Sequence, residues 1–170
     1  MNESSMEHGQ NWSGEDLAGW YLSEKFNGCR AYWDGQEMWS RGGIKVKLPS
    51  SWRASLPAGV HLDGELYDGI GGVYRCGAAL KYGRFTDSMR FMVFDAPTQK
   101  GYWPARMRRA AALISRNTVA RCVKYRVCKN IADAMQKLNR IRNRGGEGLM
   151  LRAPDHRYAA GRTANLFKIR

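Results

Sequence analysis

The sequence lacks the features of a membrane-bound or exported protein. It contains no run of about 18 consecutive apolar residues, so no transmembrane helix is predicted. Its first ten residues are polar and include no basic stretch followed by an apolar one, so no secretory signal is predicted either. The chain is therefore expected to act in a cytoplasm.

A recognisable zinc site is also missing. The four cysteines form no CxxC pair, and the three histidines are scattered along the chain rather than spaced as metal ligands. In a protein without a signal peptide, such cysteines are expected to be reduced thiols. They are Cys29, Cys76, Cys122 and Cys128.

Positive charge is abundant, and its excess lies entirely in the last seventy residues. The chain has a formal net charge of +13, although residues 1–100 carry 11 basic and 12 acidic side chains. Residues 101–170 carry 17 basic and only 3 acidic ones. Such a one-sided excess is typical of a surface that faces phosphates, whereas the simpler alternative is a solvated face that keeps the protein soluble. A lipid surface is disfavoured, because no basic amphipathic helix carries a bulky apolar face.

The pattern of apolar residues predicts an α+β fold with mostly antiparallel sheets flanked by helices. A length of 170 residues is enough for one domain with a real core. Residues 1–14 are polar and expected to be loosely ordered, and residues 15–170 are expected to form the domain. Residues 20–41 resemble an antiparallel meander with a hairpin turn at Asp34-Gly35. The predicted strands are 20–24, 29–33, 37–41, 60–67, 90–94, 122–127, 148–152 and 166–170.

Two helices are predicted from apolar residues at helical spacing. The first begins near Pro104, which suits a first helical turn. The second is capped by Asn130 and ended by Gly145-Gly146. A shorter helix is expected at about 72–81.

Lys25 is the candidate nucleophile. It ends a predicted strand just before the turn-forming pair Asn27-Gly28, which presents it at a loop. A lysine attacks only as the neutral amine, a form favoured by desolvation or by nearby cations such as Arg30, Lys168 and Arg170. Taken alone, a lysine at this position is an ordinary solvent-exposed residue without a catalytic role.

Three acids stand out by their positions. Asp63 and Glu65 lie two residues apart on a predicted strand, so they share one face, as joint binding of a hard cation or a ribose hydroxyl would require. Glu147 is one of three acids in the basic region and precedes an apolar strand. Each of them, taken singly, could instead cap a turn or form a salt bridge.

Two further patterns suit a nucleotide. Lys168 and Arg170 share one strand face, where two cations can grip a phosphate. Phe94 alternates with Phe91 and Val93, so its ring can stack on a base while the other two fill the core. The alternative for Phe94 is a core position.

Six short segments occur in the order and rough spacing of the covalent nucleotidyltransferase superfamily. They are KFNGCR at 25–30, SRGG at 40–43, DGE at 63–65, FMVFD at 91–95, EGLM at 147–150 and KIR at 168–170. Over residues 20–170 the sequence resembles the ATP-grasp-like nucleotidyltransferase (adenylation) domain of small phage and bacterial ATP-dependent DNA ligases.

The resemblance implies a monomeric enzyme that uses ATP and Mg²⁺ to seal nicked double-stranded DNA, in a bacterial cell or, if phage-encoded, in its host. Lys25 would form a lysyl-AMP, the AMP would pass to the 5′-phosphate of the nick, and the 3′-hydroxyl would then displace it. The implied binding roles are Ser23 at the adenine edge, Phe94 on the adenine face, Glu65 at the ribose, Arg30 and Arg41 at ribose or phosphates, Lys168 and Arg170 at the α-phosphate, and Glu147 with Asp63 at the metal.

Some features depart from the pattern of this family. Asn27 stands where DNA ligases commonly have Asp, and Arg170 replaces a usual lysine. The sequence ends at Arg170 without the OB-fold domain that usually follows, so self-adenylation is expected to be slow relative to sealing of a preadenylated nick. An RNA ligase or capping guanylyltransferase of the same superfamily and a non-catalytic basic DNA-binding module remain alternatives.

Overall fold

The computed structural model describes residues 6–170, which contain ten strands and four helices. Residues 1–5 lie outside the described part. The strands are β1 (Glu7–Asn11), β2 (Tyr21–Lys25), β3 (Cys29–Trp33), β4 (Met38–Ser40), β5 (Leu62–Tyr67), β6 (Arg90–Asp95), β7 (Ala120–Cys122), β8 (Tyr125–Val127), β9 (Gly148–Arg152) and β10 (Gly161–Ile169). The helices are α1 (Ser50–Ser55), α2 (Val73–Tyr82), α3 (Trp103–Leu113) and α4 (Ile131–Arg142).

The chain divides into two compact units, each built on one five-stranded sheet. The central unit, residues 27–122, has the strand order β4-β3-β5-β6-β7. The terminal unit, formed by the described residues up to Phe26 and by residues 123–170, has the order β1-β10-β9-β2-β8. Among the strands of residues 6–170, only the pairs β1–β10 and β6–β7 are parallel. The predicted α+β class with mostly antiparallel sheets is confirmed, and the single domain at residues 15–170 stays a prediction.

The predicted hairpin turn at Asp34-Gly35 joins β3 to β4. One carboxylate oxygen of Asp34 accepts hydrogen bonds from the backbone N–H groups of Gln36 and Glu37, at 2.9 and 2.7 Å. Gly35 has a φ of 91°, and a Cβ there would lie 2.8 Å from the backbone of Gly59. Both the positive φ and the close approach require glycine.

The meander predicted over residues 20–41 is wrong, because β2 and β3 belong to different sheets. β2 pairs with β8 and β9, and β3 pairs with β4 and β5. After β2 the chain turns at Gly28, where a Cβ would lie only 2.0 Å from the carbonyl oxygen of Leu66 on β5. Alternation of apolar residues identifies a strand but says nothing about its partner.

A buried ion pair joins α3 to the end of β6 in the central unit. The Arg106 guanidinium donates hydrogen bonds to both carboxylate oxygens of Asp95, at 2.8 and 2.9 Å, and to the Gly101 carbonyl at 2.9 Å. Both side chains of the pair are fully buried. The Trp103 indole N–H donates to the carbonyl of Phe94 at 2.7 Å. Two residues of α3, Trp103 and Arg106, therefore hold the end of β6.

We expect Arg106→Met to lower the free energy of unfolding by about 3–5 kcal/mol, because it leaves the Asp95 carboxylate buried without its cation. Urea unfolding followed by circular dichroism measures the change. Arg53→Met is the matched control, since Arg53 is exposed and its ion pair with Glu37 lies at the surface. That loss should stay below about 1 kcal/mol. Equal destabilisation by the two substitutions would contradict the prediction.

The core of the terminal unit lies between its sheet and α4. Apolar residues of α4, including Leu138 and Ile141, pack with the buried faces of the strands. The predicted cap is confirmed: the Asn130 side-chain oxygen accepts from the backbone N–H of Asp133 at 2.9 Å. The Asp133 carboxylate accepts from Arg126 at 2.6 and 2.7 Å, and this hydrogen bonding lowers the pKa of Asp133 to about 2.

Several elements differ from those predicted. Loose order was expected for residues 1–14, yet Glu7–Asn11 form β1, which pairs with β10. The strand predicted at 122–127 is instead two short strands, β7 and β8, that lie in different sheets. The short helix α1 was not predicted, and β10 begins five residues earlier than expected.

Within residues 6–170, no helix combines the length and the apolar character that crossing a membrane requires. All four cysteines are free. Burial raises the pKa of Cys76 and Cys122 to about 12, which keeps both as thiols at neutral pH.

Candidate active site

Lys25 forms an ion pair with Glu147 in the terminal unit. Its Nζ atom lies 2.6 Å from Oε2 of Glu147, and the two side chains are 19% and 20% exposed. The pair forms because Lys25, the last residue of β2, lies opposite Gly148, the first residue of β9. The structure thus brings the predicted nucleophile to the predicted metal ligand across neighbouring strands.

Arg170 contacts the second oxygen of the same carboxylate. Its Nε atom lies 2.9 Å from Oε1 of Glu147, so the carboxylate bridges Lys25 and Arg170. A partly exposed carboxylate is the ligand type that a hard cation such as Mg²⁺ prefers. Glu147 therefore fits a divalent metal, which would compete with the two cationic side chains for its oxygens.

The strand register places further candidates on the Lys25 face of the terminal sheet. Ser23 lies opposite Met150 on β9, which in turn lies opposite Lys168 on β10. Paired residues of a sheet share a face, and Ser23 shares its face with Lys25 by alternation. Ser23 is buried, and its hydroxyl lies 3.4 Å from Nη1 of Arg152.

Met150 and Arg152 were not predicted as site residues. Both alternate with the core residues Leu149 and Leu151, so they project to the same side as Ser23. The alternation was visible in the sequence, but only the pairing of β9 with β2 relates these two residues to Lys25. The Met150 thioether gives this face an apolar, polarisable surface.

In the central unit, Arg30 is held by Asp63. Its Nε and Nη2 atoms lie 3.0 and 2.5 Å from the two carboxylate oxygens of Asp63, which is fully buried. The guanidinium carbon of Arg30 also lies 5.2 Å from the ring centroid of Phe94. A bidentate pair of this kind fixes the orientation of the arginine. This geometry favours positioning of Arg30 by Asp63 over the metal-binding role predicted for Asp63 from the sequence.

Glu65 supports the turn that follows Lys25 and Phe26. Its Oε1 accepts a hydrogen bond from the backbone N–H of Gly28 at 3.2 Å, and its backbone lies opposite that of Arg30. Phe94 is half-buried, whereas Phe91 and Val93 are fully buried, which confirms the predicted alternation on β6.

Arg41 is exposed in the turn after β4. Ser40 pairs with Ala31, so the β3–β4 pairing brings Arg41 to the same end of the sheet as Arg30. The candidate residues thus form one set in each unit. The chain passes from the terminal to the central unit between Phe26 and Asn27, directly after Lys25.

Comparisons with known proteins point to one kind of enzyme, although no protein-family model matches the chain. A curated DNA ligase of Haemophilus influenzae is 24% identical over 163 residues. The match covers 94% of this chain and 60% of that ligase, so the chain spans about three fifths of the length of its curated relative.

Solved structures of DNA ligases share the fold. A Lig E DNA ligase superposes with a TM-score of 0.86 at 26% identity, covering 97% of this chain and 68% of that one. The Chlorella virus DNA ligase-adenylate has a TM-score of 0.82 at 18% identity, covering 98% and 68%. The ATP-dependent DNA ligase of bacteriophage T7, in complex with ATP, has a TM-score of 0.70 at 12% identity, again covering 98% and 68%. At these identities the last two show a shared fold alone.

Proposed function

We propose that the chain, which has the fold of the nucleotidyltransferase domain of ATP-dependent DNA ligases, seals nicked double-stranded DNA through a lysyl-AMP on Lys25. The observation that carries the proposal is the partly shielded Lys25 amine, held by the Glu147 carboxylate on the face shared with Lys168. The similarity to a curated DNA ligase supports DNA as the substrate. The adenylate and ATP complexes of the structural relatives support ATP as the donor.

In the first step, Nζ of Lys25 attacks the α-phosphorus of ATP. A P–N bond forms, the P–O bond to pyrophosphate breaks, and the amine loses one proton. The amine must be neutral to attack. Since Lys25 is ion-paired with Glu147 in this structure, the pair has to separate before the reaction.

Negative charge on the α-phosphate oxygens has to be stabilised during this displacement. Lys168 lies on β10, the strand next to β9, and Arg170 directly follows β10; both supply cations for that purpose. A Mg²⁺ ion, when bound at Glu147, would neutralise further phosphate charge.

Residues of the central unit bind the nucleoside. The half-buried Phe94 ring offers a face for adenine, and Glu65 offers a carboxylate oxygen to the ribose hydroxyls. Arg30, fixed in orientation by Asp63, binds ribose or phosphate. These assignments rest on the sequence motifs together with the local geometry of each residue.

The AMP then passes from Lys25 to the 5′-phosphate of the nick, where a phosphoanhydride replaces the P–N bond. Attack by the 3′-hydroxyl forms the phosphodiester and releases AMP. The exposed members of the 17 basic residues among 101–170 attract the duplex backbone. Such binding is independent of sequence and weakens with salt, as sealing of any nick requires.

Incubation with α-labelled ATP and Mg²⁺, followed by denaturing electrophoresis and intact-mass measurement, tests the proposal. We expect one covalently bound AMP per chain, located on Lys25 by peptide mapping, and its release when nicked DNA is added. Absence of the adduct, together with failure to seal a preadenylated nick, would favour a non-catalytic DNA-binding protein.

An RNA ligase is the second candidate, and Asn27 favours it because DNA ligases of this type commonly have Asp there. The adenylated protein distinguishes the two functions when it is offered matched nicked duplexes. Faster sealing of the DNA nick supports the main proposal, and faster sealing of the RNA nick supports the alternative.

A further inference from the structure

The outer face of α2 in the central unit exposes two aromatic rings. The helix buries Cys76 and Ala79, while Tyr74 is 88% exposed and Tyr82 is 56% exposed. The tyrosines are eight residues apart, which corresponds to about 12 Å along a helix. Ala78 lies four residues from each of them and therefore between them on the same face.

Small residues separate the two rings. Ala78 occupies the middle of the face, and Gly77 borders it beside Tyr74, where an added Cβ would meet nothing within 4 Å. No large side chain of the helix therefore fills the space between the Tyr74 and Tyr82 rings. We call Tyr74, Gly77, Ala78 and Tyr82 the tyrosine face.

Cations surround one end of the tyrosine face. The Lys81 Nζ atom and the Arg84 guanidinium carbon lie 5.1 and 5.4 Å from the centroid of the Tyr82 ring. No Asp or Glu occurs in residues 69–86. Arg75 is different, because its charge is engaged by the buried Asp68 carboxylate.

Helix stabilisation explains only part of this arrangement. Cations near the C-terminal end of a helix interact favourably with its dipole, which accounts for Lys81. It does not account for two solvent-exposed rings on one face, in a helix that already buries its apolar side. Exposed aromatic rings can stack on planar groups of a ligand, and the neighbouring cations can bind its negative charges. A ligand with both features is a polyanion that contains aromatic rings.

We propose that the tyrosine face binds unpaired nucleotides of a single-stranded nucleic acid. Bases stack on Tyr74 and Tyr82, and the phosphates lie near Lys81 and Arg84. The 12 Å between the tyrosines corresponds to about three or four steps of a stacked strand at 3.4 Å per nucleotide. This interaction goes beyond nick sealing and does not require it.

Fluorescence anisotropy with a labelled oligothymidylate of about twenty nucleotides tests the proposal on the full chain. The double variant Tyr74→Ser/Tyr82→Ser should bind at least about tenfold more weakly, because base–aromatic stacking contributes substantially at each ring. Lys81→Gln/Arg84→Gln should also weaken binding and reduce its salt dependence. The matched control is Tyr102→Ser, which removes a 45% exposed tyrosine before α3 and should leave the affinity unchanged.

Each variant is checked by thermal unfolding and by AMP labelling, and both should match the wild type. Equal oligonucleotide affinity in the wild type and the tyrosine double variant would overturn the proposal. So would the absence of binding in the wild type, or a tyrosine-dependent affinity for anionic phospholipid vesicles without one for the oligonucleotide. AMP labelling is measured separately, so failure of this proposal is distinguishable from failure of the proposed ligase function.

Discussion

Lys25→Ala is expected to abolish the covalent AMP adduct while nicked-duplex binding stays within about twofold of the wild type. The substitution removes the only nitrogen that the proposed mechanism joins to phosphorus. It leaves the basic surplus of residues 101–170 intact, and in the proposed function that surplus supplies most of the attraction to the duplex. Labelling with α-labelled ATP measures the first effect, and anisotropy with a fluorescent nicked duplex measures the second.

Lys25→Arg separates nucleophilicity from charge. It retains a cation next to Glu147 but cannot attack as a neutral amine, so it should also lack the adduct. Lys100→Ala removes an exposed lysine of the central unit and should label like the wild type. An adduct that persists in Lys25→Ala would exclude Lys25 as the nucleophile.

Glu147→Gln is expected to slow adduct formation by a factor on the order of 10²–10³, the loss typical for one positioned electrostatic group at a reacting centre. The amide keeps the size of the side chain and its ability to accept a hydrogen bond from Lys25. It loses the negative charge that would hold a divalent cation. The rate should therefore respond less steeply to added Mg²⁺, which a titration of the labelling rate measures.

Glu24→Gln is the matched control for this effect. Glu24 precedes Lys25 on β2 and forms an ion pair with Arg144, an exposed residue after α4. By alternation its side chain projects from the opposite face of the sheet. Its loss should leave labelling within about twofold of the wild type. If AMP labelling slowed equally in the two variants, the rate would depend on the negative charge near β2 in general and not on Glu147 specifically.

Local structure was largely predictable from the sequence, because local patterns determine it. The strands at Cys29–Trp33 and Gly148–Arg152 were predicted with their observed bounds, and Asn130 caps α4 as expected. β1 was missed because its sequence, EHGQN, has no apolar alternation and depends on its pairing with β10. The strand predicted at 122–127 is divided because β7 pairs with one sheet and β8 with the other. A local sequence pattern does not indicate which sheet a strand joins.

The site was predictable in its residue types but not in its contacts. The motifs selected Lys25, Glu147 and Arg170, yet their meeting at one carboxylate depends on the pairing of β2 with β9. The two-residue spacing of Asp63 and Glu65 predicted a shared face. It could not indicate that Arg30 would occupy both oxygens of Asp63. Long-range pairing, rather than composition, determines which charged groups meet.

The parallel pairing of β1 with β10 has a consequence for synthesis of the protein. The central unit is one continuous stretch, residues 27–122, so its sheet can be completed while the rest of the chain is still being translated. β1 is synthesised long before its pairing partner Gly161–Ile169 and stays unpaired until that segment has been made. Pairing of two segments so far apart in the sequence is slow. Until it occurs, the unpaired edges of β1 and β9 can pair with strands of other chains. The nascent terminal unit, in which Lys25 has already been synthesised, therefore depends most on protection during translation.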